Sequence, residues 1–536
     1  AKNTSTALYS NISAVAESPK KEGMLYVGTD DGLIQVSEDG GATWRKTEKP
    51  AGVPGDAYVT RIRASQHEPN VAYASFSNHQ NGDFKPYLVK TTDGGRTWTS
   101  IVNNLPERGG VFAINEDHVD PNLLFVGTEF GAYFSKNGGG NWVKFSGLPT
   151  IKVADINIQR RENDLVIATF GRGIYIIDDY SPLRTASATS LASAATLYQP
   201  KDAYLYVPTQ QYGVSGKAFQ GEMLYEGENP PFGAVFTYYL KDGIKTLREQ
   251  RTAAEKAADK AATPLLYPTA DQLRAEAEEE TPAVLLTISD SSGKAIRTIT
   301  GPVGKGMNRV AWDLRHVVHL LPSARPASPE DEIFGGGPTG PYVVPGRYSV
   351  SLAQRIGGKL TALGGPVPFS VLLDPQGIHT LADHQARGAF QVKLQELRRE
   401  MQGAVELSAS TAQRLEAMRR ALDLTPAAPP TLHERVREQI RRLTSIQREF
   451  FGDRVLGSRS DAQPTSINER VNGISGELQR SLGRPTTTHN EQLDIASELF
   501  AGEIAKLRTM VSTDIPAIEG EMEKAGAPYT PGRIPR

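Results

Sequence analysis

Ser37–Trp44 reads SEDGGATW, Thr91–Trp98 reads TTDGGRTW and Ser135–Trp142 reads SKNGGGNW. Each octapeptide holds a hydroxyl residue, then an aspartate or asparagine (Asp39, Asp93, Asn137), a Gly-Gly step and a closing tryptophan (Trp44, Trp98, Trp142). An Asp or Asn side chain accepts hydrogen bonds from the N–H groups of its own turn. Paired glycines supply positive φ without a Cβ clash. The tryptophan is expected to fold under the turn into apolar packing. Two β-type runs precede the boxes, as in Met24–Thr29 with Leu33–Ser37 and Leu123–Thr128 with Ala132–Ser135, and a short strand such as Trp98–Val102 follows. Four short strands per repeat, at a period of about 40–50 residues, is the pattern of propeller blades.

A fourth unit, Val153 to Asp179, keeps three of these strands but has no box and no closing strand. A ring needs about four to eight blades, and an unpaired apolar flank is a hazard. The first 180 residues are therefore expected to need a preceding segment, covalent or associated, to close the ring.

The chain has 536 residues, too many for one ordinary domain. Its 39% hydrophobic and 22% charged content is that of folded domains, not of a disordered chain. Net charge is -2, from 59 basic and 61 acidic side chains, which argues against a dedicated nucleic-acid binder. No run approaches the roughly 18 apolar residues of a membrane span. With no cysteine there is no disulfide framework, thiolate metal site or cysteine nucleophile.

Residues 8–184 resemble the end of the large bacterial Asp-box (BNR) repeat, sortilin-like β-propeller proteins commonly labelled "glycosyl hydrolase". The stretches that carry this are YVGTDDGLIQVSEDGGATW, DFKPYLVKTTDGGRTW, LLFVGTEFGAYFS and DLVIATFGRGIYIIDDYSPLR. The likeness continues through GENPPFGAVFTYYL, NRVAWDLR and GAPYTPGRIP, and so covers nearly the whole chain. It implies an extracytoplasmic protein, periplasmic, cell-surface or secreted. True sortilins carry cysteine-rich modules after the propeller, which have no counterpart here.

The expected fold class is multidomain, mainly β and then α. Residues 1–185 are read as the last blades of a propeller. Residues 186–375, with the short strands AYLYV, AVFTYYL, AVLLTIS, NRVAWDL, RYSVSL and PFSVLL, suggest a β-sandwich. It resembles the immunoglobulin-like add-on domains of secreted bacterial enzymes, with a helical insertion at about 244–280 that contains the capping-box pattern Thr269-x-x-Gln272. Residues 376–527 carry helical periodicity and read as a bundle of about four helices. Their expected starts are Thr431-x-x-Glu434, Ser466-x-x-Glu469 and Thr488-x-x-Glu491. Leu493, Ala496, Leu499, Phe500, Ile504, Leu507 and Val511 form the apolar stripe of the last helix. Residues 528–536 are an extended tail.

Consecutive turns of a meander alternate between its ends, so the boxes lie on one rim and the strand 2–3 loops on the other. Those loops carry Asp30 and Asp31, His79, Asp83 and Lys85, Glu129, and Arg172. Asp30, Asp31 and Glu129 are the candidate catalytic carboxylates, since a pair serves as acid and base in glycoside hydrolysis. His79, Asp83, Lys85 and Arg172 are candidate ligand contacts. The alternative is that all are turn residues, for Asp-Gly and Asn-Gly form turns whatever the function.

Three functions follow: a scaffold binding a glycan or protein ligand at the cell envelope, a glycoside hydrolase using the same face, or a sortilin-like peptide binder. Glu116, Asp117, His118 and Asp120 read as a solvated acidic loop. His316 and His319 lack a third ligand, so no metal site is expected. No cofactor motif occurs. The expected partners are the preceding propeller segment and the ligand; self-association is left open.

Overall fold

The computed structural model describes residues 11–47, 49–208, 221, 227–264, 267–318 and 339–534. The chain divides into two units, Ala1–Ala192 and Ser193–Arg536. No described helix is long and apolar enough to cross a membrane.

The first unit holds four antiparallel meanders in sequence order. The first comprises β1 (Ile12–Glu17), β2 (Leu25–Thr29), β3 (Ile34–Ser37) and β4 (Arg45–Lys46). The second comprises β5 (Tyr58–Ala64), β6 (Ala72–Asn78), β7 (Asp83–Thr91) and β8 (Thr99–Ser100). The third comprises β9 (Val111–Glu116), β10 (Leu124–Thr128), β11 (Gly131–Ser135) and β12 (Val143–Lys144). The fourth has three strands, β13 (Val153–Gln159), β14 (Asp164–Thr169) and β15 (Ile174–Ile177). This is a propeller-like array. Its outer strands pair over two residues each, shorter than the expected Trp98–Val102.

Register repeats along the array. Tyr26 faces Val36, Phe125 faces Phe134 and Val166 faces Ile176 at corresponding positions. One residue after the position of Val27 and Val126, glycine is required by close approach. A Cβ on Gly28 would lie 2.4 Å from Val59 Cγ1, and one on Gly127 would lie 2.6 Å from Val153 Cγ1. The inner strand of each following sheet occupies that space.

The three octapeptides fold alike. The hydroxyls of Ser37, Thr91 and Ser135 donate to the side-chain oxygens of Asp39, Asp93 and Asn137 at 2.8, 2.8 and 2.9 Å. The same hydroxyls accept from the N–H of Gly41, Gly95 and Gly139. Asp39 accepts from the N–H and hydroxyl of Thr43, and Asp93 from those of Thr97. Asn137 accepts from the N–H of Asn141 but lacks the hydroxyl donor that threonine supplies in the other two, the loss expected of a degraded copy. The Thr43 hydroxyl, its N–H and Ser37 hold the Asp39 carboxyl down at about 2. Asp93 lies below its ordinary value for the same reason.

One expectation fails at the first box. Trp98 and Trp142 are buried, but Trp44 is 43% exposed and its indole N–H turns back to the Gly41 carbonyl. The other two pack on the preceding sheet, with Trp98 in the core of the first meander and Trp142 in that of the second. Among the described residues no sheet precedes the first.

The acidic run is also corrected. Glu116 and Asp117 are buried, not solvated. Glu116 accepts from the Ser65 and Tyr73 hydroxyls and from the Gln66 N–H. Asp117 pairs with Arg184 in α1 (Pro182–Thr185), which follows the fourth sheet. A short helix, α2 (Ala188–Ala192), ends the unit.

The second unit begins with two sheets over one core. The three-stranded sheet runs β16 (Ala195–Leu197), β18 (Ala234–Leu240), β21 (Gly306–Trp312). The five-stranded sheet runs β17 (Ala203–Leu205), β23 (Lys359–Leu373), β22 (Gly346–Ile356), β19 (Ala283–Asp290), β20 (Ala295–Gly301). Phe236, Trp312, Leu286, Val350 and Phe369 share that core. Between β18 and β19 stand two helices, α3 (Leu247–Lys260) and α4 (Ala270–Glu278), each opened by a threonine capping box. Arg251 clamps them through both oxygens of Glu276.

Helices follow: α5 (Leu381–Asp423), α6 (Pro430–Phe451), α7 (Arg454–Ser458), α8 (Ile467–Gln479), α9 (Thr487–Thr509) and α10 (Ile515–Lys524). Their core runs from Phe390 and Leu394 through Leu415, Leu443 and Ile474 to Phe500 and Ile518. Ser466 caps α8 as expected. The other two starts differ. Helix α6 begins at Pro430 after Pro429, whose fixed φ replaces a side-chain cap at Thr431. Helix α9 is capped by Thr486, with His489 in the place of the acid expected at Glu491. Leu499 lies off the buried stripe, which runs Leu493, Ala496, Phe500, Leu507.

Candidate functional site

The strand 2–3 turns are built by a repeated threonine. Thr128 and Thr169 donate their hydroxyls to the carbonyls of Gly131 and Gly173, while the hydroxyl of Thr29, at the same place in the first sheet, donates to the Asp31 carboxylate. This fixes the residues after each threonine at the rim opposite the boxes. The connectors between sheets, which leave the outer strands, reach the same rim.

The predicted residues are all on this rim, and most are engaged locally. Asp30 accepts from the N–H and side-chain amide of Asn11 at 2.9 and 3.2 Å. Asp31 accepts from the Thr29 hydroxyl. The N–H of Glu129 donates to the Gly110 carbonyl, which seats that turn on the connector of the preceding sheet. His79 is exposed, with Nδ1 2.8 Å from the Ser77 hydroxyl. Lys85 and Arg172 are exposed.

Asp83 is the most heavily engaged. It accepts from Asn78 Nδ2, from the Tyr87 hydroxyl and from the Lys85 N–H. Burial alone would raise its carboxyl, but these donors outweigh it and hold the group below the ordinary value. A general acid requires the opposite shift. Beside it opens a groove of about 680 Å³ lined by Asp83, Phe84, Lys85, Tyr87, Asn103 and Arg108. This groove joins the strand 2–3 loop of the second sheet to the connector that leaves it.

Sequence reasoning missed the aromatic side chains of the same loops. Phe84, Phe130 and Phe170 are 42%, 45% and 73% exposed, where apolar rings are normally covered. Arg108 lies over the Phe84 ring at 5.7 Å, and Lys152 lies 3.7 Å from the Phe112 ring and 6.0 Å from that of Phe170. The Gly109 N–H donates to the Phe84 carbonyl, and a Cβ on Gly109 would meet the Phe130 ring at 3.0 Å. These residues thus form a row across the second, third and fourth sheets. The signal was present: a phenylalanine stands just after the turn threonine in TEFG (Thr128–Gly131) and TFG (Thr169–Gly171).

A second cavity, of about 520 Å³, lies in the second unit beside His379, His384, Asp374 and Arg480. No group of three or more His, Asp or Glu placed to hold a metal ion occurs among the described residues. His319 lies outside them, and His316 lies in the loop after β21.

No family model matches the chain. No curated protein matches it either. Among solved structures it is similar to the GH74 xyloglucanase of Xanthomonas campestris, at 15% identity over 30% of this chain and 26% of that one, with a TM-score of 0.24. It is similar to the GH74 enzyme of Niastella koreensis, at 16% identity over 32% and 29%, with a TM-score of 0.27. It is also similar to YCF48 bound to D1 peptide, at 15% identity over 32% and 53%, with a TM-score of 0.26. The chain therefore spans between about a quarter and about a half of the length of these proteins. The blade assignment rests on the strand order and register of the sheets themselves.

Proposed function

We propose that this chain belongs to an extracytoplasmic propeller protein that binds a glycan or a protein segment along the rim of its strand 2–3 loops. The observation that carries the reading is the row of solvent-exposed rings, Phe84, Phe130 and Phe170, interleaved with Arg108 and Lys152. Exposed aromatic faces give a platform for the apolar face of a sugar ring or for an apolar side chain. The neighbouring cations, which lie over rings of the row, add polar contacts beside them, and the 680 Å³ groove is roughly the size of a small-ligand site. Three carboxylates of the rim are engaged by nearby donors: Asp31 and Asp83 accept from neighbours in their own loops, and Asp30 accepts from Asn11 just ahead of β1.

The Asp-box, sortilin-like affiliation is part of this proposal, and the repeated turn chemistry supports it. So is the immunoglobulin-like character of the two-sheet region, supported by its buried Trp312 and shared core.

The test is a glycan array and a peptide library probed with the purified protein, then with Phe84→Ala, Phe130→Ala and Phe170→Ala. Stacking through these rings predicts at least about tenfold weaker binding for the variants that line the ligand. Binding that survives all three substitutions overturns the reading. Turnover of a polysaccharide that is lost in Asp30→Ala or Glu129→Ala replaces it with the hydrolase reading.

A further inference from the structure

Arg387, near the start of α5, is 2% exposed and shares its helix face with Gln391 and Leu394. Its Nη2 donates to the Leu478 carbonyl in the last turn of α8 at 2.8 Å, and its guanidinium lies 5.7 Å from the centre of the Tyr342 ring. Arg315, in the loop after β21, lies 3.6 Å from the same ring and donates to the Gly340 carbonyl at 2.8 Å. Two cations are thus gathered on one aromatic ring inside the second unit.

No carboxylate answers them. Both arginines line a small cavity with Gln391, Gln395, Ser475 and Gln479, and none of its lining residues is acidic. Asp313, the acid nearest Arg315 in sequence, accepts from the Arg315 N–H at 3.2 Å and not from its guanidinium. Asp383, one turn before Arg387, is taken up by the Thr380 hydroxyl and by Arg484. Burial and the neighbouring Arg315 charge push the Arg387 guanidinium down to about 10, against the pull of Tyr342. Buried charges are normally paired.

Two polar atoms at the site also lack a partner: Arg387 Nε and Gln391 Oε1 are buried and make no hydrogen bond. A half-turn of the Gln391 amide puts its NH2 where the oxygen stands, in the same space. The site then offers two buried donors to one occupant. The cavity measures about 10 Å³, room for a single body of near water size. Phosphate and sulfate are too large for it, and a water brings no charge. A halide ion fits the space and supplies the missing charge. We propose that Arg387, Arg315 and Gln391 hold one chloride ion, which ties α5 to the loop after β21.

The test titrates chloride against gluconate at constant ionic strength on the full chain, since gluconate is too large for the cavity. Melting of the second unit is followed by the circular dichroism of its helices. A ligand at a hundred times its dissociation constant shifts a folding equilibrium about hundredfold. Chloride is expected to raise the melting temperature by at least about 2 °C and then level off as the site fills. A crystal grown in bromide is expected to show one anomalous scatterer beside Arg387 Nε. Arg387→Met keeps an apolar stem without the charge and is expected to show only the general salt effect. Arg315→Gln changes a half-buried position outside the core, so the fold is retained, and is expected to move the midpoint of the chloride titration at least about tenfold upward. A wild type whose melting shows no saturable response to chloride overturns the proposal. So does a titration midpoint unmoved in Arg315→Gln. Bromide density without an effect on melting marks an adventitious ion and overturns it as well.

Discussion

Arg184 holds Asp117 in a two-pronged ion pair, Nε to Oδ2 and Nη2 to Oδ1, both at 2.8 Å. Asp117 sits at the turn between β9 and β10 of the third sheet, and Arg184 in the helix that follows the fourth. The pair is buried on the carboxylate side, where Asp117 also takes the Tyr180 hydroxyl and the N–H groups of Val119 and Asp120. It fastens the end of a three-stranded sheet that has no outer strand of its own among the described residues.

Arg184→Ala leaves that carboxylate buried without its counter-charge. Removing one partner of a buried pair costs about 3–5 kcal/mol. The expected outcome is a lower denaturant midpoint for the first unit, followed by tryptophan fluorescence, with little change in the second.

The same site sets an acid limit. Burial alone would raise the Asp117 carboxyl, but hydrogen bonds from Arg184, Tyr180 and the Asp120 N–H outweigh it and hold the group below the ordinary value. A group depressed in the folded state gives stability that is fully present above its unfolded pKa, about 3.9, and lost as pH falls through the folded value. The first unit is therefore expected to lose stability below about pH 4, and Arg184→Ala to flatten that decline. A midpoint already falling between pH 7 and 5 would contradict this origin. Carboxyl NMR should place the Asp39 titration at about 2.

Gly28 and Gly127 are required by space, since Val59 and Val153 of the following sheets lie where a Cβ would be. Gly28→Ala and Gly127→Ala are each expected to cost about 1–3 kcal/mol by overpacking. Ala168 holds the corresponding position in the fourth sheet, where it is only half-buried. Ala168→Val is expected to change stability by less than about 0.5 kcal/mol. Equal melting shifts at all three positions would refute the spacing argument.

The cap of α9 separates two neighbouring threonines. Thr486 accepts from the His489 N–H at 3.2 Å, whereas Thr488 is already inside the helix. Thr486→Ala is expected to cost about 1 kcal/mol, measured by denaturant unfolding of the second unit, and Thr488→Ala only a few tenths.

Much of this architecture was legible in the linear chain because it is built from local chemistry. The box turn closes within eight residues, through contacts such as Ser37 to Asp39 and Asp39 to Thr43, so its residue types announce it. The strand alternation and the helical stripe are equally local. The helix starts were misplaced where two signals competed: Pro429 and Pro430 pre-set the backbone ahead of Thr431, and Thr486 preceded the better-looking Thr488. The acidic run Glu116–Asp120 was misread because charge in a turn suggests water. Its partners Ser65, Tyr73 and Arg184 lie about 40–70 residues away in sequence, and only folding brings them in.

Residue order alone thus determined the turns, the strands and the repeat, since each depends on hydrogen bonds and sterics spanning a few positions. Whether a given tryptophan is covered was decided by tertiary structure, because cover comes from the neighbouring sheet. Trp98 and Trp142 have one; Trp44, on the same kind of turn, has none among the described residues and is 43% exposed. The candidate site follows the same division. Its carboxylates were visible as letters, but the row of Phe84, Phe130 and Phe170 exists only once three separate loops are stacked on one rim.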